Sequence, residues 1–477
     1  MNSDLSGKSV RLMMAGLMIA VLAMIPGAGR GVAYAASSTK RVSISGAGVQ
    51  GNGTSSRASI SGNGRYITFV SAASNLVPND TNGVTDTFVW DRVTGKIVRV
   101  SVSSEGRQGN RGYDYWGGPS SISAHGRFIA FESMASNLVP GDTNGRSDVF
   151  VRDRDTDRDH IYDEPGAVST TRVSAWTNGG NKPSISANGR HVAFVTSTEW
   201  TGDRNDATLD VFSYDRLTGQ TALVSVSTQG VQDGGYPSWD PSISGDGRFI
   251  AFWSRAPSLV GQHPDDPVAD VFVRDRDTDR NGVFDEPGKV RTLLVSPGVM
   301  GARANDDSVR PFISSSGRYI AFESNASNLV ADDTNGHRDI FVRDWFRGTT
   351  ARISLSTAGG QSNNQSVVAS ISAHGRYVLF TSRASNLVSS DTNGYPDVFL
   401  RDRDTDADRV YDEPGGVSTE RINLSGSGSQ AKSYSYSSGV SISNTGRYAT
   451  FDSDATNLVP GDTNGHTDVF LRDRGAP

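Results

Sequence analysis

The 477-residue sequence has no cysteine. That absence excludes disulfide bridges, and it removes the residue to which lipid would be attached at a bacterial signal site. Histidine is scarce as well: the seven (His125, His160, His191, His263, His337, His374 and His466) form no HxH or HExxH pair, and there is no GxSxG elbow. Positive charge is in deficit, with a formal net charge of −6, which argues against nucleic acid as a partner. No long stretch carries a 3.6-residue apolar period. Long apolar runs are nearly absent too, the longest being Leu12 to Ile25. At fourteen residues it falls short of the roughly 20 that a spanning helix needs.

That run has the setting of a secretory signal. Lys8 and Arg11 precede it, a Pro/Gly break follows, and Ala33, Tyr34 and Ala35 form a small-x-small cleavage pattern. Residues 1–35 are expected to be a cleaved signal peptide, the alternative being an uncleaved anchor. Cleavage would take the formal charge to −8 and leave a secreted or periplasmic chain with no membrane span. Without disulfides, such a chain must be held by a well-buried core, by metal, or by both.

What the sequence does have is repetition. SISGNGRYITF (59–69) returns as SISAHGRFIAF (121–131), SISANGRHVAF (184–194), SISGDGRFIAF (242–252), FISSSGRYIAF (312–322), SISAHGRYVLF (370–380) and SISNTGRYATF (441–451). The arginines of the GR steps lie 62, 63, 58, 70, 58 and 71 residues apart, longer than solenoid repeats and slightly longer than common propeller blades. Each unit holds four strand candidates. In the second they are PSSIS, RFIAFES, DVFVRD and TTRVSA, the first two joined by a turn at Gly126. The middle strands are almost continuously apolar, as when neighbours cover both faces of a small sheet. The predicted fold is all-β, a seven-bladed β-propeller of four-stranded antiparallel blades spanning residues 36–477. The last repeat ends after three strands, whereas the mature N-terminus begins with a fourth-strand sequence, KRVSIS. Residues 41–45 are therefore expected to pair with 468–473, closing the ring and removing two open edges.

The Pro/Ser strand, GR turn, IAF strand and [IV][YF]V.D strand of these units resemble the TolB-type, WD-repeat-like β-propeller repeat, and the likeness covers essentially the whole mature chain. TolB itself has an added N-terminal α/β domain for which this sequence leaves no room. The resemblance implies the repeat family without implying TolB's role in the cell envelope. It admits both binding proteins and lyases or peptidases.

Blades 1, 3 and 5 turn from strand 3 to strand 4 through short hairpins, DRVTGK, DRLTGQ and DWFRGT, whereas blades 2, 4 and 6 use a long acidic loop, for example DRDTDRNGVFDEPG (275–288). The spacing is that of a calcium loop, oxygen donors at alternate positions wrapping one hard cation. The expected ligands are Asp155, Asp157, Asp159, the Ile161 carbonyl and Asp163 in blade 2. In blade 4 they are Asp277, Asp279, Asn281, the Val283 carbonyl and Asp285, and in blade 6 Asp404, Asp406, Asp408, the Val410 carbonyl and Asp412. Blade 4 fits best because Gly282 holds position 6, where His160 and Arg409 must adopt a left-handed conformation at about 1–2 kcal/mol. Position 12 lacks an acid in this register. A start two residues earlier puts Glu164, Glu286 and Glu413 there. The Ile/Val and Tyr/Phe pair of each loop is expected to be packed. Calcium is the expected cofactor, in a structural role, and a solvated acidic hairpin without an ion is the alternative.

On the opposite rim five blades carry DTNGxxD, read as a structural turn. The GR arginines are read as partners of the RD aspartates. The loops between blades are rich in aromatics: Tyr113, Tyr115, Trp116, Trp176, Tyr236, Trp239, Tyr434 and Tyr436. These side chains suit stacking on a sugar or anchoring a protein, and equally suit wedging between blades. The functional expectation is a monomeric, non-catalytic scaffold binding a protein or glycan on this rim. The alternative is a polysaccharide lyase or hydrolase with its site at the central channel.

Overall fold

The computed structural model describes residues 37–112, 120–175, 177, 179–197, 208–232, 235–261 and 268–475. Seven separate four-stranded antiparallel sheets account for nearly all its regular structure. The only helical pieces among the described residues are two 3-10 turns, Pro257–Val260 and Val299–Gly301. Among the described residues no helix is long and apolar enough to cross a membrane.

Blade 1 shows how each sheet is made. Its strands are Ser55–Ile60, Tyr66–Ser71, Asp86–Asp91 and Ile97–Arg99, hydrogen-bonded in that order. The second and third strands are buried along their whole length, which is why they are apolar at consecutive positions. Phe69 faces Phe88 across the ladder with ring centroids 5.8 Å apart, and an equivalent Phe pair recurs in all seven blades. Thirteen of these fourteen rings are under 2% exposed, so the pairs form the largest apolar units of the core.

The innermost strands line a central channel. At the turns that follow these strands every blade passes one backbone hydrogen bond to the next: Asn63 N to Ala124 O, Ala124 N to Ala187 O, Ala187 N to Gly245 O, Gly245 N to Ser315 O, Ser316 N to Ala373 O, Ala373 N to Asn444 O, and Asn444 N to Gly62 O. The last of these seven joins blade 7 to blade 1, so the ring is closed at the axis as well as at its outer edge. Serines and isoleucines of the inner strands surround the cavity above this ring.

Outer closure follows the expected logic with a shifted register. The fourth strand of blade 7 is Ser38–Arg41, pairing with Asp468–Asp473 so that Ser38 faces Asp473 and Arg41 faces Phe470. The strand thus begins three residues before the expected 41–45, and only Val42 continues the pairing, through Val469. Ser45 instead enters a tight turn with Gly48. Side chains set this register. Arg41 reaches Asp462 at 2.9 Å and Asp468 at 3.3 Å, and the Ser43 hydroxyl donates to Asp468. Arg99, Asp80 and Asp86 make the same contacts within blade 1. The N-terminal segment therefore supplies blade 7 with the arginine that other blades take from their own fourth strand.

Two further devices hold the ring, one within each blade and one between neighbours. Each GR arginine grips the aspartate that ends its third strand in a two-pronged pair, with N–O distances of 2.6–3.0 Å in all seven blades. The next residue reaches towards the preceding blade. Arg92 lies over Tyr448, Arg154 over Tyr66, Arg216 over Phe128, Arg403 over Tyr319 and Arg474 over Tyr377, while Trp345 meets Phe249 edge-on. The GR glycine must be glycine for two reasons. At Gly126 φ is +83°, and a Cβ there would run into the Tyr66 ring.

Candidate metal centres

The acidic loops of blades 2, 4 and 6 start where the short hairpins of the other blades turn. In each, the first aspartate is buried: Asp155, Asp277 and Asp404 are all under 5% exposed. In blades 2 and 4 the loop backbone wraps both carboxylate oxygens. Asp277 accepts Asn281 N at 3.1 Å and Gly282 N at 3.0 Å, and Asp155 accepts Asp159 N at 3.1 Å and His160 N at 3.3 Å. In blade 6 only Arg409 N reaches Asp404, at Oδ2, and the buried Oδ1 has no hydrogen-bond partner.

Three left-handed residues shape each loop. In blade 6 they are Ala407, Arg409 and Asp412 at φ +61°, +73° and +65°, and in blade 2 Arg158, His160 and Asp163. Blade 4 relieves one of these positions with Gly282. The strain expected at position 6 is therefore present, and it extends to positions 4 and 9.

The structure draws together Asp155, Asp157 and Asp159, and likewise Asp404, Asp406 and Asp408, with one oxygen from each residue within 4.8 Å of the others. It places the ninth position elsewhere. Asp163, Asp285 and Asp412 turn inward to the buried guanidinium groups of Arg154, Arg276 and Arg403, each through three contacts of 2.5–3.1 Å. The reason is electrostatic: a guanidinium buried at a blade junction needs a carboxylate, and this is the one within reach. The acid beside the cluster is the next residue. Asn281 Nδ2 donates to Glu286 at 2.7 Å, and Glu413 lies close enough to Asp408 and Asp406 to feel their charge. Proximity to Asp408 first, then burial, raises the Glu413 carboxyl above its ordinary range; for Glu164, burial first and then Asp159 and Asp157 do the same. In the register preferred from the sequence these glutamates stand at position 10, one place past the ligand position, whereas the alternative start two residues earlier had put them at position 12. The DEP adjacency of all three loops was the available signal.

The hydrophobic pair of each loop divides. Tyr162 and Tyr411 pack on Tyr66 and Tyr319 of the preceding blade at 5.5 Å, and Phe284 packs on His191 at 4.9 Å. Ile161, Val283 and Val410, expected to be packed, are 56%, 54% and 50% exposed. Their side chains point away because only the aromatic of the pair reaches the neighbouring blade. Arg154 and Arg403 are thereby sandwiched between two rings while holding Asp163 and Asp412, so each loop is a brace across a blade junction.

Blade 4, the best fit by spacing, differs from the other two loops in its side chains. Asn281 takes the place of Asp159 and Asp408, and Lys289 Nζ lies 3.5 Å from Asp279 Oδ2. The glycine advantage is a backbone matter, whereas cation affinity depends on the net negative charge of the donors.

On the other rim the DTNG aspartates are occupied within the protein. In blade 6, Arg421 lies 3.4 Å from Asp391 and 3.5 Å from Asp397, while Asn393 and Asn423 donate to Asp397. Burial is the dominant influence on Asp397 and lifts it to about 6 despite these donors. Blades 1, 2, 5 and 7 repeat the arrangement of one arginine between two aspartates.

The inner strands carry a second irregularity. Arg57, Lys182, Asp240, Arg310 and Val368 are left-handed at bulges where the register to the second strand shifts. Their charges are paired locally: Lys182 with Asp240 at 2.9 Å and Arg310 with Glu323 at 3.2 Å. Asp452 accepts Arg57 N at 2.7 Å, and Glu323 accepts Val368 N at 2.7 Å.

Of the aromatic candidates, Tyr113, Tyr115, Trp116 and Trp176 lie outside the described residues. Tyr236 and Trp239 pack partly buried against the core between blades 3 and 4, a wedge position. Tyr434 is 43% exposed and meets Tyr395 with ring centroids 5.0 Å apart and planes tilted by 59°, making an aromatic pair on the rim opposite the acidic loops; the side chain of Tyr436 lies outside the described residues. The described histidines are dispersed. His125 and His374 sit in GR turns, His160 in an acidic loop, His337 and His466 in DTNG loops, and His191 in a blade junction.

No protein-family model matches the sequence, and no curated protein matches it either. Solved structures do. The chain is similar to an oligogalacturonate lyase from Vibrio parahaemolyticus (TM-score 0.50, 10% identity, 91% of this chain and 93% of that one). It is also similar to TolB from Acinetobacter baumannii (TM-score 0.37, 15% identity, 76% and 67%) and to an acylaminoacyl peptidase from Pyrococcus horikoshii (TM-score 0.47, 11% identity, 88% and 51%). The chain spans about half the length of that peptidase. At these identities the likeness is one of fold, the β-propeller.

Proposed function

We propose that this chain is an exported, non-catalytic β-propeller scaffold, braced by calcium in its acidic loops, that binds a protein or glycan on the rim opposite those loops. The observation that carries the brace is Asp404 Oδ1: a carboxylate oxygen, buried and without a hydrogen-bond partner, beside Asp406 and Asp408. Such an atom is costly unless something cationic meets it. The residues present fit a hard cation: carboxylates, the Ile161 or Val410 carbonyl, and water would complete an oxygen shell. Magnesium fits less well because it gives up water reluctantly. When bound, the ion supplies charge compensation and rigidity. The protein's own part is to fix the loop aromatics and the Arg–Asp pair across the blade junction.

The binding role rests on the Tyr395–Tyr434 pair, in which Tyr434 is exposed and Tyr395 half-buried, and on the absence of any histidine grouping among the described residues. The self-paired charges at the channel bulges support a scaffold over a reactive channel. The test has two arms. Calorimetric melting with and without a chelator should show a midpoint lower by on the order of 5 °C after calcium removal; an unchanged midpoint removes the brace. A glycan and peptide array should give a ligand whose binding is lost in Tyr434→Ala. Turnover of any polysaccharide or peptide in that panel would replace the scaffold with the lyase or hydrolase reading.

A further inference from the structure

The three acidic loops are near-copies in sequence and unlike in charge. In blade 6 Glu413 lies near enough to the cluster Asp404, Asp406 and Asp408 to feel the charge of all three, and among the described residues no cationic side chain is paired with any of the four. Asp404 is 3% exposed, its Oδ1 has no hydrogen-bond partner, and one of its carboxylate oxygens lies within 4.8 Å of an oxygen of Asp406 and of Asp408. Blade 2 repeats the same three aspartates, with Asp155 fully buried and Glu164 at the place of Glu413.

Blade 4 has supplied its own counter-charge. Asn281 stands where Asp159 and Asp408 stand, and its amide donates to Glu286 at 2.7 Å and towards Asp279 at 3.4 Å. A donor group therefore fills the space between the two acids that a cation would bridge. Lys289 adds an ammonium 3.5 Å from Asp279; the same position is Ala167 in blade 2 and Gly416 in blade 6. Both oxygens of Asp277 accept loop N–H groups at 3.0 and 3.1 Å, as those of Asp155 do in blade 2 at 3.1 and 3.3 Å, so it is Asn281 and Lys289 that set blade 4 apart from blade 2. Every feature that calls for a cation in blade 6 is answered by the chain itself in blade 4.

We infer that the protein binds two calcium ions, in blades 2 and 6, through Asp155, Asp157, Asp159 and Glu164 and through Asp404, Asp406, Asp408 and Glu413, while Asn281 and Lys289 take the ion's place in blade 4. This rests on the reading that the acidic loops hold calcium at all. Affinity in such loops is tuned by the number of charged donors, and blade 4 has one carboxylate fewer and one ammonium more than its neighbours.

The test is isothermal titration of the chelator-treated, full mature chain with calcium chloride. Wild type should take up two ions. Asp404→Asn should take up one, and the double variant Asn281→Asp, Lys289→Ala should take up three. The gain of a site in the double variant does not depend on whether Asp404→Asn folds well, and circular dichroism of each variant checks the fold. No uptake by wild type would sink the calcium reading itself. Uptake of three ions by wild type would leave that reading standing and overturn the assignment of blade 4. Uptake of a single ion, or a third site failing to appear in a folded double variant, would likewise overturn the inference.

Discussion

His191 offers the sharpest quantitative test of how the blades are joined. Every other blade places Tyr or Phe at the start of its second strand, against the residue that reaches over from the next blade; blade 3 places an imidazole there. His191 is 3% exposed, lies 4.9 Å from the Phe284 ring, and its Nδ1 has no hydrogen-bond partner. Burial first, and then the charge of Arg276, lowers its pKa to about 4; Arg190 acts in the same sense, while Asp215 and Asp285 oppose it. The folded state therefore keeps the ring neutral in a range where the unfolded chain, near 6.5, takes up a proton. Between about pH 6.5 and 4 the unfolded state binds more protons, so stability falls as pH falls; above this window the full stability is present, and below it the loss levels off. The shift corresponds to about 3 kcal/mol in total, of which about 2 kcal/mol is lost by pH 5. His191→Phe restores the ring used at Phe128 and Phe249 and removes the proton site. Denaturant unfolding at pH 7 and pH 5 should show wild type losing about 2 kcal/mol more than the variant. Asp397 shifts in the opposite direction, its raised value favouring the fold at low pH and penalising it as pH rises through about 6. It lies in another blade and is unchanged by the substitution, so it cancels in the difference. Parallel pH profiles for the two proteins, or a His191 resonance titrating near 6.5 in the folded state, would show the reasoning to be wrong.

Three further outcomes follow from the core and from closure. Phe322→Ala, which deletes one of the fully buried paired rings, should cost about 3–5 kcal/mol in denaturant unfolding, whereas Phe346→Ala, at a site 55% exposed, should stay within about 0.5 kcal/mol. Similar costs for the two would mean that the sheet pairs are not the core. Deleting residues 36–44 strips Arg41 from the buried Asp462 and Asp468 and uncovers the edge of Asp468–Asp473. The loss should exceed about 3 kcal/mol, with aggregation visible in size exclusion. A truncated chain that melts with the intact one would refute closure by the N-terminal strand. In the double variant Arg403→Ala, Asp412→Ala, the blade 5–6 junction should loosen enough for Tyr411 fluorescence to change, while Arg107→Ala, an exposed control, leaves it unaltered.

Much of this architecture could be read in one dimension because a propeller is built by repetition. Seven copies of one pattern average out local ambiguity, and the alternation of long and short spacings locates the acidic loops in even blades. The mismatch between a three-strand C-terminus and an orphan N-terminal strand sequence implies a shared blade. Strand periodicity, glycine turns and the Arg–Asp pairing are properties of neighbouring residues, so the chain order carries them. The register of the closing strand was misjudged by three residues because it is set by Arg41, Asp462 and Asp468, groups more than 400 positions apart whose meeting no local pattern records.

The loops show the same division in smaller compass. That three carboxylates would gather at each of two turns was legible from DxDxD alone, since alternate side chains of a tight loop fall on one side. Which acid would stand beside them was decided in three dimensions. A guanidinium buried between two aromatic rings claims Asp163, Asp285 or Asp412, and the following glutamate is left to face the cluster. Likewise the imidazole of His191 is, in the chain, one more residue after GR. Only its burial against Phe284 and Arg276 makes it a proton-sensitive joint, because desolvation and neighbouring charge are properties of a place in the fold and not of a position in the chain.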